Sequence, residues 1–106
     1  MYLRLTFFKT RPDSMNSLRD LYNGEVIPAH KGHKGNRFVH LLERLDRPNE
    51  GISVTAWDTK ADLDAYEKSG DYERILGRFT TYFAEPPRLE AYEVTASSEP
   101  ILLRIF

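Results

Sequence analysis

The sequence predicts an α+β fold of the split β-α-β kind: a four-stranded antiparallel sheet with its helices on one face. Three observations predict it. Stretches near Tyr2–Phe8, Asn36–Leu45, Gly51–Trp57 and Leu89–Thr95 read as strands with alternating faces. Apolar residues repeat at helical spacing from Met15 to Val26 and from Asp71 to Tyr82, with a further helix start at Thr59. The resulting order is β α β β α(α) β, and the turn residues Asp46–Gly51 make the second and third strands a hairpin.

Each element has its own warrant. In the first strand Leu3, Leu5 and Phe7 alternate with Tyr2, Arg4, Thr6 and Phe8, so both faces carry bulk. Asp13 or Ser14 can cap a helix whose inner face is Met15, Leu18, Leu21, Tyr22 and Val26. Gly24 weakens that helix, and Pro28 is expected to end or kink it. A His-Lys-Gly triplet, His30–Lys31–Gly32, is then repeated as His33–Lys34–Gly35, and its glycines mark a solvated connection. In the second strand Phe38, His40 and Leu42 share one face and Val39, Leu41 and Glu43 the other.

The third strand organises the rest. Ile52, Val54 and Ala56 fall on one face, Ser53, Thr55 and Trp57 on the other, and the strand ends on the chain's single tryptophan. Thr59 is placed to cap the next helix, with Asp62 three residues on as an acidic relative of the capping box. Ser69–Gly70 interrupts that helix. Tyr72, Ile75, Leu76, Phe79 and Phe83 then form the apolar stripe of the cleanest amphipathic helix, which Pro86–Pro87 stops.

Composition narrows the class. The chain has 106 residues, enough for one domain with one modest core. Fifteen Lys and Arg oppose sixteen Asp and Glu, a near-balance that argues against a nucleic-acid binder, which normally shows a basic excess on one face. With no cysteine there is no disulfide framework, thiolate metal site or cysteine nucleophile. No signal-peptide layout and no apolar run of membrane-span length occur, so a cytoplasmic domain without membrane contact is expected. Residues 1–96 form the expected domain. Residues 97–106 are a tail whose last six residues include five apolar ones, and it is expected to pack on a partner subunit. Because apolar residues line both sheet faces, the uncovered face is expected to meet a second copy in a homodimer.

Several side chains could carry chemistry. Trp57 either stacks on a flat ligand or seals the strand end. His40 is the candidate general base, and the alternative is a hydrogen-bonded histidine of the core or interface. Tyr22, Tyr66 and Tyr72, with Phe79, are candidates to contact a ligand, and equally serve as packing residues. The spacing of His30 and His33 would suit a metal, yet Lys31 and Lys34 repel a cation. Arg37 could hold an anion or simply charge a strand edge. No phosphate loop, nucleophile elbow or metal-ligand cluster is present in the sequence.

Taken together, these features resemble the antibiotic biosynthesis monooxygenase family of ferredoxin-like dimeric α+β barrels. The resemblance runs from Tyr2 to about Val94. Its carriers are Val26–Ile27–Pro28, Gly35, Asp46–Arg47–Pro48, Val54–Leu63 with its strand-end Trp57, Ser69 and Tyr92–Glu93–Val94. It implies one of three functions: oxidation of an aromatic or quinol substrate by O2 with no cofactor, haem degradation, or binding of a small molecule without an assigned reaction. The haem branch carries an Asn on the first strand, a Trp ending the third and a His on the last helix. Trp57 matches, but Thr6 and Leu76 stand near the other two positions, so no axial ligand is supplied. The expectation is a cofactor-free oxidation near Trp57, with a non-catalytic binding or dimerisation module as the alternative.

Overall fold

A computed structural model gives the structure of the protein and describes residues 1–99; the apolar end of the expected tail, residues 101–106, lies outside the described residues. The strands are β1 (Tyr2–Lys9), β2 (Asn36–Glu43), β3 (Glu50–Trp57) and β4 (Arg88–Glu93). They form one sheet in the order β2-β3-β1-β4, with every neighbouring pair antiparallel. The helices are α1 (Met15–Leu21), α2 (Ile27–Lys31), α3 (Lys60–Lys68) and α4 (Asp71–Phe79). This is the expected split β-α-β architecture.

Register assigns the faces. Tyr2 pairs with Trp57, Arg4 with Thr55 and Thr6 with Ser53, while Val39 and Leu41 of β2 oppose Thr55 and Ser53. Residues opposite one another share a face, so these side chains point to the helices. The other face carries Leu3, Leu5 and Phe7 beside Ile52, Val54 and Ala56, with Phe38, His40 and Leu42 at one flank. Leu42 there is 46% exposed.

Pro28 does not end the first helical segment. Helix α1 runs into a π turn over Tyr22–Val26, where the Ile27 N–H reaches the Tyr22 carbonyl, and α2 follows with Pro28 in its first turn. In a regular helix the proline ring would press on the carbonyl four residues back, that of Gly24. The wider turn relieves that contact and absorbs the missing N–H. Continuing the helix past Pro28 overturns the expected solvated connection at His30. That residue lies in α2 and is buried.

The start of α3 is built as expected, with the Thr59 hydroxyl accepting from the Asp62 N–H at 3.1 Å. Gly35, before β2, has φ +80, and a Cβ there would strike the Asp62 carboxylate. The loop into β2 therefore fits against α3 only as glycine. Between α3 and α4, Gly70 turns the chain at φ +86 while Ser69 Oγ donates to the Tyr66 carbonyl at 2.6 Å. No helix among the described residues is long and apolar enough to cross a membrane.

Candidate functional site

Two packed clusters meet between the sheet and the helices. One contains Phe8, Leu18, Tyr22, Val26, Ile75, Phe79 and Phe83; the other contains Trp57, Leu63 and Tyr66, with Tyr2 and Tyr72 against it. Where they meet, a cavity of about 60 Å³ remains, lined by residues from both. Its wall is mostly aliphatic and aromatic, and Arg4, Thr6, His30, Ser53, Thr55 and the tyrosines supply the polar groups.

His30 is the polar residue whose state is best defined. Its Nδ1 lies 2.7 Å from the Val26 carbonyl, four residues back along the helix. A carbonyl can only accept, so Nδ1 carries the proton and donates it. Nε2 is buried and has no hydrogen-bond partner among the described residues. Burial also holds the ring's pKa below its ordinary 6.5, against the raising effect of the Val26 bond. The side chain is thus a neutral imidazole on the cavity wall, with a lone pair on Nε2.

The three expected tyrosines all reach the cavity, but in different states. The Tyr22 hydroxyl donates to the His40 carbonyl at 3.0 Å and lies 2.9 Å from Ser53 Oγ, so its bonding is already committed. Burial pushes its pKa up to about 12, the Ser53 bond opposing. The Tyr66 ring is held from several sides: Trp57 stacks on it at 4.9 Å, and His30 and His33 lie at 4.7 and 4.8 Å between centroids. Burial raises its pKa as well. The Tyr72 hydroxyl, beside Thr6, is buried and makes no hydrogen bond of good geometry. Desolvation raises its pKa, with Thr6 and Arg4 opposing. The Arg4 guanidinium lies 5.9 Å from the Tyr72 ring centroid and pairs with Glu67.

The other expected residues fall elsewhere. Phe79 lines the cavity. Trp57 has no exposed surface, donates its Nε1–H to Thr55 Oγ1 at 3.0 Å, and backs Tyr66 without lining the cavity. His40 lies on the far face of the sheet, exposed and stacked on Phe38 at 4.5 Å, because it pairs with Val54 in the register. It is not brought to the tyrosines. Arg37 pairs with Asp58 at 3.3 Å. His33 Nε2 meets Asp71 Oδ2 at 2.8 Å and ties the loop after α2 to the first turn of α4. Sequence reasoning missed His30 as a cavity residue. The signal was there: Leu18, Tyr22, Val26 and His30 continue one stripe every four residues, through the proline.

Leu76 and Thr6, which the resemblance sets near the haem branch's histidine and asparagine, both line the cavity, and neither side chain offers an imidazole to a haem iron.

The family model for antibiotic biosynthesis monooxygenase matches residues 1–78 of the chain. Solved structures share its fold. The Rv0793 protein of Mycobacterium tuberculosis superposes with a TM-score of 0.76 at 19% identity, over 92% of this chain and 98% of that one. A provisionally assigned antibiotic biosynthesis monooxygenase from Deinococcus radiodurans gives 0.78 at 14% identity, over 94% and 98%. MhuD, solved as a variant with two manganese protoporphyrin IX molecules per active site, gives 0.75 at 14% identity, over 94% and 100%. At such identities the likeness establishes the fold alone. A 51-residue stretch is also 41% identical to part of the cytoplasmic tryptophan–tRNA ligase of Schizosaccharomyces pombe. That stretch is 47% of this chain and 13% of the ligase.

Proposed function

The chain belongs to the antibiotic biosynthesis monooxygenase family, and from that premise we propose that it oxidises a compact aromatic or quinol substrate with O2, without a cofactor, in the cavity between sheet and helices. One observation carries the reading: of the three buried groups on this mostly apolar cavity's lining residues that make no hydrogen bond of good geometry among the described residues, Arg4 Nε, His30 Nε2 and the Tyr72 hydroxyl, the last two offer a lone pair and a hydroxyl to a ligand. An unsatisfied buried polar group costs about 1–3 kcal/mol, and a ligand with a hydroxyl and an acceptor oxygen would relieve both. An apolar wall with a few placed polar groups is the usual design of a small-molecule site. In this reading Tyr72 donates to a substrate oxygen, Tyr22 and Phe79 form walls, and Tyr66 holds the ring edge. Trp57 acts one layer back, by fixing Tyr66.

The small volume supports a compact substrate. An apolar cavity of about 150 Å³ holds a benzene ring. The present cavity, about 60 Å³, takes a single ring only as its side chains part, and a polycyclic substrate does not match it. The test is oxygen uptake by purified protein with single-ring hydroquinones and phenols. Acceleration by wild type, reduced at least tenfold in Tyr72→Phe, supports the reading. Uptake at the uncatalysed rate across the panel refutes it.

The same small volume, with Trp57 wholly enclosed, favours the second reading, a non-catalytic binding module. There, ligands would raise the melting temperature while oxygen uptake stayed at background. In either reading the open sheet face, with its Leu5, Phe7, Ile52 and Leu42, supports pairing with a second copy as a homodimer.

A further inference from the structure

Resting on the oxygenase reading, we propose that His30 is the general base of the cavity: its Nε2 takes the proton of a phenolic or enolic hydroxyl seated between it and Tyr72. Geometry carries this. The Val26 carbonyl fixes the proton on Nδ1, so the only tautomer compatible with the neutral ring presents a lone pair at Nε2. That atom is buried, without a hydrogen-bond partner among the described residues, and belongs to a residue on the cavity wall. The ring itself cannot swing freely, since Tyr66 packs at 4.7 Å, with Trp57 at 6.1 Å and His33 at 6.5 Å around it. A base held in one tautomer and one orientation is the arrangement proton abstraction needs.

The step balances simply. The substrate O–H bond breaks, an Nε2–H bond forms, and the electron pair stays on the substrate oxygen. A carbon of the ionised substrate then forms a C–O bond to O2, the oxidant; the peroxide takes the His30 proton, and the hydroperoxide loses water as its O–O bond and the C–H bond of that carbon break, leaving a carbonyl. The Tyr72 hydroxyl can donate to the new oxyanion, with the Glu67-paired Arg4 guanidinium near its ring. Desolvation weakens His30 as a base. Its partners are therefore acidic hydroxyls, those of quinols and enols, and not aliphatic alcohols.

The titratable and charged groups around His30 are Tyr66 from α3, His33 from the following loop and Asp71 at the start of α4, with Tyr72 and Arg4 lining the same cavity. Asp71 is engaged by Arg74 and His33, so it is no competing base for the cavity.

Two measurements test the assignment. Long-range nitrogen–proton NMR of the intact wild-type protein should show His30 neutral with its proton on Nδ1 at neutral pH; a proton on Nε2 overturns the proposal. In parallel, the visible absorbance of added 4-nitrophenol reports its ionisation in the cavity, and oxygen uptake reports turnover. Wild type should ionise the bound phenol below the pH at which it ionises free, and His30→Gln should lose that shift. With an oxidisable quinol, His30→Gln should fall by roughly 100-fold in turnover. Equal turnover by the folded variant removes the base and leaves the oxygenase reading standing. Ionisation of 4-nitrophenol that depends on His30, without oxygen uptake from any quinol, keeps the base and removes the oxygenase. Should His30→Gln not fold, the NMR tautomer of the wild type decides.

Discussion

A single ring, His30, connects chemistry and stability. Its pKa lies below the ordinary 6.5 because burial disfavours the imidazolium. For a base with a depressed folded pKa, the unfolded chain binds more protons as pH falls past the unfolded value. The neutral ring's contribution is therefore complete above about pH 6.5 and is lost on descending toward the folded pKa. Wild type should lose melting temperature between about pH 7.5 and pH 5, and His30→Gln should lose less over that interval. Identical pH dependence in the two proteins would show that His30 is not held neutral. Tyr72 makes the complementary prediction at this scale. Its hydroxyl makes no hydrogen bond of good geometry among the described residues, so Tyr72→Phe should depress oxygen uptake with little change in melting temperature.

Among elements, the join between the β2 approach and α3 is the most tightly specified. Gly35 has a positive φ, and a methyl group there would strike the Asp62 carboxylate. Gly35→Ala should therefore destabilise the protein by about 1–3 kcal/mol, read from the urea midpoint. An unchanged midpoint would mean that the loop and α3 are not in the contact described. The Thr59 cap was legible in the sequence, because it depends on a neighbour within one turn; the contact of Gly35 with Asp62 was not, because it joins residues far apart in the chain. The course of the chain through Pro28 was not. A proline normally stops a helix, and only the π turn at Tyr22–Val26 lets the helix continue to His30. That wide turn is a compromise between local geometry and burial, since the stripe Leu18, Tyr22, Val26, His30 ends fully buried.

For the whole molecule, the helices cover one face of the sheet and leave the other carrying Leu3, Leu5, Phe7, Phe38 and Ile52. A second copy laid face to face would bury them. Sedimentation should then give a species of twice the 12.3 kDa chain, and Leu5→Arg should shift it to the monomer. A wild-type monomer at micromolar concentration would refute the pairing.

The sequence by itself determined the strands, the main helices, the faces of the sheet and the family, since alternation, helical spacing and caps are local and repeat along the chain. Tertiary structure decided which candidates share a site. Tyr22, Tyr66, Tyr72 and Phe79 meet at one cavity because the π turn after α1, α3 and α4 pack on the same face. His40 is excluded from it by a single step of strand parity, and Trp57 by the Tyr66 ring in front of it. His30 enters it because burial carries a helix through a proline. Proximity between residues distant in sequence is fixed by packing, and no local pattern encodes it.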